Sequence, residues 1–301
     1  LDVAHDASPI AIRPKFDNFG YRWREKQRIE KKVRGLQVRS DYLCYDRDIM
    51  YRSPSRLWLL PDLGMDSRLF QPQAGYFSNF ESPTLPRFSA EEALAPFAAR
   101  SVDFWLADSE VAKHTQGRFF LGGVGFGGML AMEMGLAFAA RSIRPAGIFL
   151  IGSARFHTYI ANRSRLRLTL LSRFSPMLGR WRLSNRFRKL ATDESMNESQ
   201  RRILQDMARD VDWELFRWQV HAMLNWQRSR SDFEASRIPI HQLHGRGDRV
   251  FRVPTVEDAT ILIHGKHLVN LSLSGEVNRW IESVLRDDDL RQAHPRESSA
   301  R

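Results

Sequence analysis

The stretch Phe119-Phe-Leu-Gly-Gly-Val-Gly-Phe-Gly-Gly128 decides how this chain is read. It opens on large apolar residues, has glycine at five of the positions from 122 to 128, and runs into Met129–Ala140 at helical spacing. That order predicts a buried strand, a tight turn and a buried helix, because residues without a Cβ let turn, strand and helix approach one another. A membrane span over Phe119–Ala140 is the competing reading. Six glycines and Glu133 inside the run argue against a helix exposed to lipid. A dinucleotide fingerprint, G-x-G-x-x-G, is matched by Gly123, Gly125 and Gly128. It requires an acid for the ribose at the end of the following strand, and that run ends Leu150-Ile-Gly-Ser153. A nucleotide cofactor is therefore not expected.

Outward from this turn, Leu57–Leu60, Gly147–Ile151, Ile238–Leu243 and Thr260–Ile263 are further short apolar runs. Alternation of such runs with helical segments predicts an α/β protein with a mostly parallel central sheet flanked by helices. A helix is expected over 89–113, entered at Ser89-Ala-Glu-Glu. Between residues 155 and 235, Ile203, Met207, Val211, Leu215, Phe216, Val220, Met223 and Leu224 keep helical spacing behind a capping box at Ser195-Met-Asn-Glu198, and the segment is read as an all-helical insertion. The expected divisions are a basic arm with the first elements over 1–55, a core over 56–154 and 236–287, the insertion, and a disordered tail over 288–301.

The same turn fits a second motif. A nucleophile elbow reads G-x-S-x-G between strand and helix, and Gly123-Val-Gly125-Phe-Gly127 keeps its frame with Gly125 in the serine's place. Downstream, Leu243-His-Gly-Arg-Gly-Asp248 sets an acid directly after one strand, and Ile263-His-Gly-Lys-His267 sets a histidine after the next. Nucleophile, acid, histidine is the order in which an α/β-hydrolase carries its triad.

On these residues the chain resembles the α/β-hydrolase superfamily over about residues 56–285. The resemblance implies an eight-stranded type of sheet, whose early strands are hard to place in 36–52, and a cap formed by the insertion. It implies catalytic positions at Gly125, Asp248 and His267, with an oxyanion hole from the N–H groups of Leu63 and Phe126. Val124 and Asp62 would line the pocket, which would take a small acyl or ester-like ligand. Glycine offers no attacking oxygen, so the chain is expected to be inactive as a serine hydrolase and to act as a ligand-binding pseudoenzyme. The alternatives are an enzyme using only the Asp248/His267 pair as a base, without a covalent step, or a serine hydrolase whose nucleophile has been mutated. Asp62 either sits beside the oxyanion position, repelling negative charge there, or turns outward. Ser153 and Cys44 are poor substitutes for the missing serine, and His241, His244 and His264 read as strand-end or loop residues that form no metal-ligand spacing.

Formal net charge is +11 over 301 residues, unevenly spread. Residues 13–39 carry ten Lys/Arg against Asp17, Glu25 and Glu30, and residues 155–192 carry ten with no acid. These segments would suit an anionic surface or nucleic acid, although no nucleic-acid-reading motif accompanies them. A single cysteine excludes an internal disulfide framework or cysteine-rich zinc module. No signal-peptide pattern is visible in the sequence, and a cytoplasmic location is the expectation.

Overall fold

Each apolar run forms a strand, and all of them pair in parallel. A computed structural model describes residue 51 and residues 53–228, 230–255 and 259–293. Its strands are β1 (Arg56–Leu60), β2 (Phe80–Glu81), β3 (Phe119–Val124), β4 (Gly147–Ile151), β5 (Ile240–Gly245) and β6 (Thr260–Leu262). They lie in the order β2-β1-β3-β4-β5-β6, with Leu60 opposite Gly123 and Val124 opposite Ile151. Every residue of β3 and β4 is buried, as expected of strands covered on both faces. β2 is added on one side of β1 and β3 to β6 on the other, so the winding order of the parallel sheet switches between β1 and β3. The crevice at the carboxyl ends of these two strands is therefore the place where such sheets bind ligands. The expected basic arm over 13–39, the early strands sought in 36–52 and Cys44 lie outside the described residues.

The helices are α1 (Gln71–Ala74), α2 (Leu94–Ala107), α3 (Ser109–Gln116), α4 (Phe126–Ala139), α5 (Asn162–Ser172), α6 (Pro176–Leu190), α7 (Glu198–Arg209), α8 (Trp213–Leu224), α9 (Arg230–Glu234), α10 (Val269–Ser272) and α11 (Ser274–Ala293). Helix α4 is buried almost all round, packed between the sheet and α2. Helices α5 to α9 form the insertion between β4 and β5. Glu133, buried in α4, ties the end of that insertion to the core. It accepts hydrogen bonds from Trp226 Nε1 (2.7 Å) and, through both carboxylate oxygens, from Arg228.

Three boundaries differ from the sequence reading, each for a local reason. The helix expected from Ser89 starts only at Leu94 and breaks at Asp108, which caps α3. Pro96 has no N–H for the Glu92 carbonyl, which accepts the Trp218 indole N–H instead (2.9 Å). The capping box lies two residues beyond the expected one, formed by Asn197 and Gln200, because Asp193 holds the Ser195 N–H and hydroxyl. Residues 288–293 are helical rather than a disordered tail. Asp288 accepts two hydrogen bonds from Arg118, and Asp289 accepts one from Ser53, so acids of the expected tail anchor the last helix.

The glycines of the turn set the helix against the sheet. A Cβ on Gly127 would lie 2.0 Å from the Leu60 carbonyl oxygen, and one on Gly123 would lie 2.3 Å from the Gly127 carbonyl carbon. Gly127→Ala should therefore push α4 off β1 and cost at least about 3 kcal/mol in urea unfolding. Gly75→Ala, where the nearest atom would be an unstrained 3.6 Å away, is the control and should be near neutral.

Candidate active site

The site is assembled from four turns at the carboxyl ends of β1, β3, β5 and β6. After β1, Pro61 leads into a turn closed by the Met65 N–H donating to the Asp62 carbonyl (2.9 Å). Gly64 takes the third position at φ +68°, the conformation that a type II turn demands there. The Gly64 N–H is held by Gln219 Oε1 of α8 at 2.7 Å. After β3, Gly125 forms the sharp bend at φ +53°, ψ −117°, ahead of α4. Its N–H donates to the Ile151 carbonyl.

Asp62 turns inward. The residue is 2% exposed, and its carboxylate fills the space over Gly125: a Cβ built there would stand 2.0 Å from Oδ1 and 2.4 Å from Cγ. Oδ1 accepts a hydrogen bond from the Phe126 N–H at 2.8 Å, and the adjacent Leu63 N–H adds to the interactions that lower the carboxylate's pKa. Those are the two groups the sequence assigned to an oxyanion hole. The protein's own carboxylate occupies them.

Asp62 Oδ2 lies 2.9 Å from His267 Nε2, and Asp248 Oδ2 lies 2.9 Å from His267 Nδ1. An ionised carboxylate can only accept, so a ring with one on each nitrogen donates from both and is an imidazolium. Burial by itself would push the His267 pKa down. The charges of Asp248 and Asp62 and the hydrogen bonds to them prevail and hold it at about 10. Burial likewise disfavours charge on Asp62, but His267⁺ and the hydrogen bonds from His267, Phe126 and Leu63 leave its pKa below the ordinary value. Asp248 behaves in the same way: burial opposes its charge, and His267⁺ leads the interactions that keep its pKa low. Its Oδ1 accepts from the N–H groups of Val250 and Phe251, which fixes the carboxylate after β5.

Two participants escaped the sequence reading. His244, fully buried near the end of β5, sets Nε2 3.2 Å from Asp248 Oδ2. Its signal was its place on the strand leading directly into the acid-bearing turn, one face-period after Gln242. Arg186 of α6 is partly buried; burial lowers its pKa, and the charge acting to raise it is that of Asp62. His267⁺ thus lies between the two carboxylates, and the positive charge of Arg186 acts on Asp62. Val124, placed in the pocket from sequence, is the fully buried last residue of β3. Ser153 donates its hydroxyl to the Gly125 carbonyl (2.6 Å), bracing the bend. His267 itself is 7% exposed, so the charged cluster is covered. A cavity of about 360 Å³ lined by Arg118 and Arg144 belongs to the opposite ends of β3 and β4.

Comparison with known proteins agrees with this architecture. No family model matches the sequence, and no curated protein matches it. Solved structures do. A hydrolase from Oleispira antarctica superposes with a TM-score of 0.58 at 14% identity, covering 82% of this chain and 99% of that one. A thermophilic esterase from Thermogutta terrifontis gives 0.53 at 15% identity, over 78% and 91% of the two chains. The RedJ thioesterase of prodiginine biosynthesis in Streptomyces coelicolor gives 0.51 at 15%, over 78% and 90%. The fold is that of the α/β-hydrolases.

Proposed function

We propose that this chain uses an α/β-hydrolase fold without serine-hydrolase chemistry, as a pseudoenzyme whose former reaction centre is latched by Asp62. One observation carries the reading. The carboxylate of Asp62 takes the volume above Gly125 and the Phe126 N–H, where an attacking side chain and the oxyanion it generates would have to be. Stabilisation of that oxyanion is the largest single contribution to acyl transfer in such sites, and here its donors are already engaged by a fixed negative charge.

Base-only catalysis by the His267/Asp248 pair is the weaker reading. A general base needs a free lone pair near the working pH, and an imidazolium held to about pH 10 has none to offer. A small acyl or ester-like ligand entering beneath the insertion would have to displace Asp62 from the Phe126 and Leu63 N–H groups. Binding of such a ligand would therefore be weak unless it brought a carboxylate or similar anion of its own.

Treatment with a fluorophosphonate probe and with short p-nitrophenyl esters tests the proposal. The unaltered chain should stay unlabelled in intact-mass spectra and hydrolyse the esters no faster than buffer. A stoichiometric adduct, or turnover abolished by His267→Gln, would overturn it.

A further inference from the structure

The insertion begins with two helices whose outer surfaces differ from the rest of the molecule. Five of the eight large hydrophobic residues that stand exposed among the described residues fall on them: Leu166 and Leu170 on α5, and Met177, Leu178 and Trp181 on α6. Met177 is 84% exposed, Leu166 62% and Trp181 59%. Helical spacing aligns Leu166 with Leu170, and Met177 with Trp181, while Phe174 and Pro176 mark the corner between the two helices. Exposed cations surround them: Arg163, Arg167, Arg173, Arg180, Arg188 and Lys189. No acid occurs between residues 155 and 192.

We infer that this helical corner is a docking surface for an anionic lipid bilayer. Apolar tips that reach into the acyl boundary, ringed by long cationic side chains that reach phosphate headgroups, make a helix lie in a membrane interface rather than cross it. Among the described residues no helix is long and apolar enough to cross. Each exposed cation near an anionic leaflet adds to the attraction, and a tryptophan belongs at headgroup depth. Other occupants fit less well. A second copy of the chain would bring the same uncompensated positive charge against this one. Single-stranded nucleic acid uses aromatic rings as stacking platforms, and four of these five residues are aliphatic. The surface is separate from the Asp62–His267–Asp248 cluster, so this inference stands or falls independently of the pseudoenzyme reading.

The test is co-sedimentation of the full chain with vesicles of phosphatidylcholine alone or with about one third phosphatidylglycerol, near physiological salt. Uptake is expected on the anionic vesicles and much less on the neutral ones. Met177→Ser combined with Trp181→Ser keeps the charge and, at such exposed positions, the fold, as circular dichroism would verify. It should lower partition onto anionic vesicles about tenfold or more while leaving retention on heparin unchanged. Undiminished partition of this variant would overturn the inference, since the basic residues 13–39 or charge alone would then account for binding. Absence of uptake by the parent chain would overturn it too, as would a loss of RNA binding in the variant with lipid binding intact.

Discussion

Gly125→Ser alone is expected to leave the protein unreactive toward a fluorophosphonate and to make it less stable. A side chain at position 125 must coexist with Asp62 Oδ1 only 2.0 Å from its Cβ. The carboxylate has little freedom to withdraw, being short and bonded to Phe126 N–H and His267. At φ +53° a residue other than glycine adds roughly 1–3 kcal/mol of backbone strain. Pairing the substitution with Asp62→Gly removes the obstruction, frees the Phe126 and Leu63 N–H groups and leaves His267 with Asp248 as its sole carboxylate partner. The double variant should label at position 125 and hydrolyse p-nitrophenyl esters at least about a hundredfold faster than Gly125→Ser, the usual scale of an oxyanion-hole contribution. Labelling of the single variant at the rate of the double would mean that Asp62 is not an obstacle.

The second large effect concerns pH and stability. His267 has a folded pKa of about 10 against an ordinary 6.5, so the stability it contributes is complete below pH 6.5 and fades as pH rises through 10. Asp62 and Asp248 titrate below the ordinary carboxylate value of 3.8. Their contribution is present above that value and disappears as pH falls through their lower folded pKa. The cluster is thus most stabilising between about pH 4 and 6.5. Asp62→Asn keeps the shape but removes the second carboxylate. It should lower unfolding free energy by about 2 kcal/mol at pH 6 and flatten the decline between pH 6.5 and 10. Thermal unfolding across that range reads both effects. An unchanged alkaline decline would show that Asp62 does not support the charge on His267.

Much of this architecture was legible because its determinants are local. Short apolar runs bounded by Gly, Pro and Ser can only be buried strands in an α/β chain, and the order Gly125, Asp248, His267 survives whatever the chain does in between. Asp62 was the residue whose role sequence could not decide. Its orientation depends on the space left above Gly125, at the end of the neighbouring strand and 63 positions later in the chain. The boundary shifts have the same character. Ser89 starts no helix because Trp218, far along the chain, takes the carbonyl that Pro96 cannot serve, and the last helix persists because Asp288 meets Arg118. His244 read as an ordinary strand residue because its partner is fixed only once the β5 turn folds back. Propensity and pattern carry no record of such long-range partners.

Titration of the His267 imidazole by ¹⁵N nuclear magnetic resonance tests the central claim most directly. The account predicts that both ring nitrogens carry protons at pH 8 and that the ring loses its charge only near pH 10, with Asp62→Asn moving that transition downward. A ring already neutral at pH 8 in the unaltered chain would contradict it, because Asp62 could not then be holding His267 as a cation.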